Sequence, residues 1–139
     1  AMTDKNDKTP YIFLIADVHR QIATSFAGAG DLDVTRMQAK VLLSIWRNEG
    51  PTQKQVATRL DMQCISISRL VDDLEVKGMV VRKPDPDDRR KNRLYITEET
   101  KPLIASIRAQ LDDITESLLA PLNPDEREML RTLLVKIIA

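Results

Sequence analysis

The chain has 139 residues, 42% apolar and 30% charged, a composition that fits a soluble globular domain and contains no apolar run of membrane-spanning length. Its 21 basic and 21 acidic side chains cancel. One cysteine excludes an internal disulfide, one histidine leaves no Cys/His set with metal spacing, and four glycines form no phosphate-cradling loop, so neither an enzyme nor a cofactor is expected.

The elements follow in chain order. Residues 1–8 are polar, with no apolar stretch behind a basic start, so no secretory leader is expected and the cytoplasm is the expected compartment. Thr9 is a candidate cap, with Pro10 at the first helical position and Tyr11, Ile15, Val18, Ile22 and Phe26 recurring at helical spacing. Gly28-Ala29-Gly30 stops that helix. Thr35 and Gln38 form a capping box, followed by an apolar stripe of Val41, Leu42, Ile45 and Trp46 that Gly50-Pro51 ends. Thr52 and Gln55 form a second box before a short helix with Val56, Ala57 and Leu60 inward. Asp61-Met62-Gln63 is a tight connection. A longer helix then runs from about Cys64 to Lys77, with Ile67, Leu70, Val71 and Leu74 inward and Gly78 at its left-handed cap.

The period changes at Met79-Val80-Val81-Arg82, a short strand. Lys83-Pro84-Asp85-Pro86-Asp87-Asp88 is turn chemistry, and Arg93-Leu94-Tyr95-Ile96 alternates as a second strand. Thr97 or Thr100 starts the last section, where Pro102 is tolerated only in a first helical turn. Ile104, Ile107, Leu111, Ile114 and Leu118 make a narrow seam suited to helix pairing, and Pro121 ends it. Asn123-Pro124-Asp125-Glu126 caps a final helix carrying Leu130, Leu133, Leu134, Ile137 and Ile138.

The fold class is therefore mainly α with a small β-hairpin wing. Residues 35–97 are expected to form a winged helix–turn–helix. Residues 1–34 and 98–139 are expected to form a helical dimerisation region, the whole making one compact domain. The charge distribution agrees with a nucleic-acid role: residues 50–97 carry ten basic against seven acidic groups, residues 98–139 five against eight. The positive charge gathers in Arg89, Arg90, Lys91 and Arg93.

Several strings resemble the MarR family of transcriptional regulators. They are Thr35-Arg36-Met37-Gln38, Gly50-Pro51-Thr52-Gln53, Val56-Ala57, Ser66-Ile67-Ser68-Arg69-Leu70-Val71, Leu74-Glu75-Val76-Lys77-Gly78, Asp85-Pro86-Asp87-Asp88-Arg89-Arg90 and Leu94-Tyr95-Ile96-Thr97. They span about residues 35–100, in the family's order and spacing. The resemblance implies a homodimer whose terminal helices interlock, binding a palindromic operator in double-stranded DNA, more often as repressor than activator. The alternative is a winged helix that docks proteins and binds no DNA.

On that reading the helix from Cys64 enters the major groove, with Gln63, Ser66, Ser68 and Arg69 as candidates for base or phosphate contact, in preference to the plainer reading of Ser66 and Ser68 as caps or solvent-facing groups. Thr52, Gln53 and Lys54 are either phosphate ligands at a helix start or plain caps. The resemblance sends Arg90 into the minor groove, with Asp88 orienting the arginines and Arg89 as its structural partner. Lys91 and Arg93 are assigned general phosphate attraction. Gln63 or Cys64 falls where the family pattern favours Ser, Thr or Asp, which leaves the start of this helix open.

Cys64 is read as a buried or inert thiol in preference to an oxidant sensor. Many relatives bind a small phenolic or aromatic anion in a cleft. Here His19, Arg20, Phe26, Met37 and Trp46 are the candidate lining, against the plainer reading of core packing and, for His19, a surface or interface histidine.

Overall fold

A computed structural model describes residues 8–26 and 34–139. The elements are α1 (Tyr11–Phe26), α2 (Arg36–Arg47), α3 (Gln53–Arg59), α4 (Cys64–Val76), β1 (Val80–Pro84), β2 (Asn92–Ile96), a 3-10 turn (Glu98–Thr100), α5 (Lys101–Leu118) and α6 (Pro124–Ile138). None of the described helices is long and apolar enough to cross a membrane. The chain divides into two units, Ala29–Ala109 and Ala1–Gly28 with Gln110–Ala139.

In the winged unit, local chemistry sets the helix starts. Thr35 accepts from the Gln38 N–H at 3.1 Å while Gln38 accepts from the Thr35 N–H at 2.9 Å. Thr52 and Gln55 repeat the exchange at the head of α3. Each box satisfies two backbone donors that a helix end otherwise leaves unpaired. Between α3 and α4 the chain turns at Asp61, a non-glycine residue at φ 52°, and Gly78 reverses it after α4 at φ 74°. Both sit in the left-handed region that a tight helix exit requires.

The apolar periods then converge. Val41, Leu42 and Ile45 of α2 are buried with Val56 and Ala57 of α3 and with Ile67, Val71 and Leu74 of α4. Val80, Leu94 and the α5 residues Ile104 and Ile107 complete this core. Leu60 and Leu70, expected inward, are only half-buried. Trp46 leaves the stripe: it is 43% exposed, with the Arg108 guanidinium 4.5 Å from its ring centroid.

The hairpin is antiparallel, pairing Val80 with Ile96 and, at its outer end, Pro84 with Asn92. It is longer than the sequence suggests because Lys83 and Pro84 stay in the ladder, with Pro84 at the strand's end, where its missing N–H removes little. A third stretch lies beside β2: Thr52 bridges Arg93, and the Leu94 N–H donates to the Pro51 carbonyl at 2.9 Å.

In the other unit, α1 begins one residue later than expected. The Phe13 and Leu14 N–H groups donate to the Pro10 carbonyl, so Pro10 takes the capping place rather than the first helical position. Asn123 and Glu126 cap α6 reciprocally, with Pro124 in its first turn. Arg127 clasps Glu116 and donates to the carbonyls of Leu119 and Leu122, closing the turn between α5 and α6. Phe26 is the buried residue of α1, whereas Tyr11, Ile12, Phe13 and Ile15 are exposed. α6 buries none of its residues. The expected stop at residues 28–30 lies outside the described residues.

Candidate nucleic-acid interface

The finger is built by two aspartates. Asp85, almost fully buried, accepts the N–H groups of Asp87 and Asp88 on one carboxylate oxygen at 2.8 and 3.2 Å. Its other oxygen takes Arg93 Nε at 2.9 Å. The Asp87 N–H is the main influence holding this carboxyl below the ordinary carboxylate range; Arg93 and the Asp88 N–H add to it against the opposing effect of desolvation. The loop closes where the Asp85 N–H donates to the Lys91 carbonyl and the Lys91 N–H to the Asp88 carbonyl. Asp88 then accepts both the Arg90 N–H at 3.0 Å and Arg90 Nε at 3.3 Å.

This arrangement corrects two expectations. Asp88 pairs with Arg90, not with Arg89, because its turn already holds the Arg90 N–H against the carboxylate. Arg93 is not a general phosphate attractor. Its guanidinium spans Asp85 and the Gly50 carbonyl, 2.8 Å away, because a buried carboxylate needs a counter-charge. Arg93 thus ties the finger's base to the loop before α3. The Arg90 side chain is 91% exposed despite its pair. Arg89 and Lys91 are exposed as well.

A second knot joins β1 to both short helices. Arg82 donates through Nε to Gln53 at 3.0 Å and through its two terminal nitrogens to Glu75 at 3.1 Å and Asp72 at 2.7 Å. Gln53 therefore has its carbonyl oxygen engaged within the protein and only its amide nitrogen left to donate. The Thr52 hydroxyl serves as a cap, and Lys54 is exposed. Sequence reasoning missed Arg82, whose three acceptors lie seven, ten and twenty-nine residues away.

α4 starts at Cys64 with Gln63 at the cap position, and the Gln63 side chain makes no capping bond. Gln63, Cys64, Ile65 and Arg69 are exposed, while Ser66 and Ser68 are half-buried. Cys64, expected buried or inert, is an exposed free thiol, because the inward stripe starts at Ile67. Ile65, 60% exposed, was not singled out either. The signal was present: it falls out of phase with the stripe at Ile67, Val71 and Leu74.

The candidate effector residues divide between the units: His19, Arg20 and Phe26 in one, Met37 and Trp46 in the other. His19 is exposed, and Arg20 pairs with Asp17 one turn back. Phe26 is buried, Met37 half-buried, and one face of Trp46 carries Arg108.

Comparison with known proteins places this geometry. The MarR family model matches residues 34–91. The "uncharacterized HTH-type transcriptional regulator YybA" of Bacillus subtilis (strain 168) is 28% identical over 107 residues, covering 77% of this chain and 71% of its own. Wild-type MarR from E. coli, in its apo form, is 27% identical with a TM-score of 0.78, over 94% of this chain and 98% of that one. A cysteine-substituted E. coli MarR complexed with operator DNA is likewise 27% identical, with a TM-score of 0.71 over 96% and 97%.

Proposed function

We propose that this chain is a MarR-type transcriptional regulator that acts as a homodimeric repressor on a palindromic DNA operator, a reading supported by the family model over residues 34–91 and by the likeness to E. coli MarR. The carrying observation is the finger: a guanidinium held at its base by Asp88, yet 91% exposed, projects beside a helix whose leading residues are exposed. α4 enters the major groove, with Gln63, Ser66, Ser68 and Arg69 reaching base edges or phosphates. Arg90 enters the adjoining minor groove, where narrow A·T-rich stretches concentrate negative potential. Lys54, Arg89, Lys91 and the free donors of Thr52 and Gln53 engage phosphates, and these contacts make binding strongly salt-dependent.

The dimer rests on uncovered apolar surface. Tyr11, Ile12 and Phe13 are 84%, 77% and 61% exposed, and Ile137 and Ile138 are 71% and 73% exposed. Solvated monomers rarely leave such clusters open, and a second copy supplies the cover. Two-fold symmetry then presents two α4 helices to half-sites about 10 bp apart. A small aromatic anion acts as effector. It shifts the population toward a dimer that no longer fits the operator. Such chemistry has a parallel in Bordetella bronchiseptica BpsR, whose DNA binding is regulated by 6-hydroxynicotinic acid.

The test is a mobility shift on duplexes enriched by the protein from a randomised pool, with sedimentation to count chains per complex. Arg90→Ala is expected to weaken binding to A·T-flanked sites at least tenfold while leaving the fold and dimer unchanged. Equal binding by the variant removes the minor-groove contact, and no retained duplex at low salt from a folded dimer removes the DNA-binding reading.

A further inference from the structure

α4 commits Ile67, Val71 and Leu74 fully to the core. At about 100° per residue, Ile65 lies roughly 200° away from Ile67 around the helix, on the outward side. It is 60% exposed in the first turn. Arg69, four residues on, shares its face, is exposed, and makes no hydrogen bond or ion pair with any described residue. Nothing local explains an isoleucine there. A β-branched side chain is a middling helix former, and this one leaves most of its surface in solvent.

We propose that Ile65 is a specificity-determining residue that packs on the C5-methyl group of a thymine in each half-site. This rests on the DNA-binding reading above and adds to it which base is read, and by what force. In the major groove the thymine methyl is the bulky apolar group that a base pair projects, set among hydrogen-bond donors and acceptors. An exposed branched hydrocarbon at the leading end of the groove helix therefore has a single complementary target there. Arg69 on the same face supplies the matching charge toward phosphate or guanine. The finger's exposed Arg90 adds to the positive field that draws DNA to this side of the winged unit.

Deoxyuridine isolates the methyl, since it removes that group and keeps every hydrogen-bonding atom of thymine. A duplex is enriched from a randomised pool by the wild-type full-length chain, and each thymine of its half-sites is then replaced by deoxyuridine in turn. Titrations compare wild type with Ile65→Ala and Ile65→Val, whose melting curves are expected to match wild type because the side chain is exposed. One thymine per half-site is expected to be sensitive, with replacement weakening wild-type binding about fourfold per half-site, the worth of one buried methyl. Ile65→Ala is expected to bind the thymine and deoxyuridine duplexes alike, and Ile65→Val to keep part of the difference. Two outcomes overturn the proposal while leaving DNA binding intact. Either no replacement weakens wild type, or the replacement weakens Ile65→Ala by the same factor, which assigns the effect to the DNA's own stacking. Failure to enrich any duplex overturns this proposal and the DNA-binding reading together.

Discussion

Gly50 and Gly78 both hold left-handed backbone, at φ 61° and 74°, yet their surroundings differ. A Cβ built on Gly78 meets nothing within 4 Å. A Cβ on Gly50 would stand 2.7 Å from Tyr95 Oη and 2.9 Å from its Cζ. Gly78→Ala therefore pays only for the backbone conformation, about 1 kcal/mol. Gly50→Ala adds displacement of a tyrosine ring, and overpacking of this kind costs about 1–3 kcal/mol more. The ring has little freedom to yield, since Tyr95 pairs with Val81 in the hairpin and Lys83 sits 5.0 Å from its centroid. The assay is urea unfolding followed by circular dichroism, at one protein concentration because association shifts apparent stability. In a Tyr95→Ala background the excess cost at Gly50 is expected to vanish, leaving the two glycine positions equivalent. Equal destabilisation of the two alanine variants in the parent background refutes the steric argument.

Two further substitutions probe the knots around the finger. Arg82→Met removes the bonds to Gln53, Asp72 and Glu75 and is expected to cost about 1 kcal/mol in urea unfolding, a modest figure because both carboxylates are substantially exposed. Arg82→Lys is expected to recover only part of it, because an ammonium lacks the planar fork that spans three acceptors; full recovery by lysine contradicts the clasp. Asp85 has a folded-state pKa below its unfolded value, so its contribution is fully present above the unfolded pKa of about 3.9 and is lost as pH falls through the lower folded value. Asp85→Asn is therefore expected to be less stable than wild type by a constant margin at neutral pH. That margin closes below about pH 4; a gap that persists into strong acid argues against a charge-based role.

What sequence could reveal here was local. The three capping boxes, at Thr35, Thr52 and Asn123, were readable because both halves of each exchange lie three residues apart. Gly78 was readable because a helix exit demands a left-handed residue. The order of helices and hairpin followed from apolar spacing together with caps, breaks and turn residues. Long-range partners were not readable. Arg93 looked like one more cation in a basic run, and only folding brings the Gly50 carbonyl, 43 residues away, to its guanidinium. Arg82 was hidden the same way. Trp46 matched the apolar stripe of α2 in period, but its contact with Arg108 depends on a residue 62 positions later. Cys64 and Ile65 were only partly legible: Ile65 falls out of phase with the inward stripe of α4, whereas Cys64, three residues before Ile67, falls in phase with it. Helical phase shows which residues can face inward, while their exposure depends on where the core stops.

The stitching of Pro51 and Thr52 to β2, with Arg93 anchored on Gly50, has a bearing on the nucleic acid itself. The loop that launches α3 is bonded to β2, and Arg82 ties β1 to α4, so hydrogen bonds link the finger's strands to the helix assigned to the major groove. On the proposed reading, the span between the major-groove letters and the A·T-rich flank is then a fixed ruler. Adding or deleting one base pair between them moves the flank about 3.4 Å along the axis and turns it by roughly a tenth of a helical repeat. A rigid reader cannot follow that displacement with both grips at once, whereas letters may change freely in the stretch it skips.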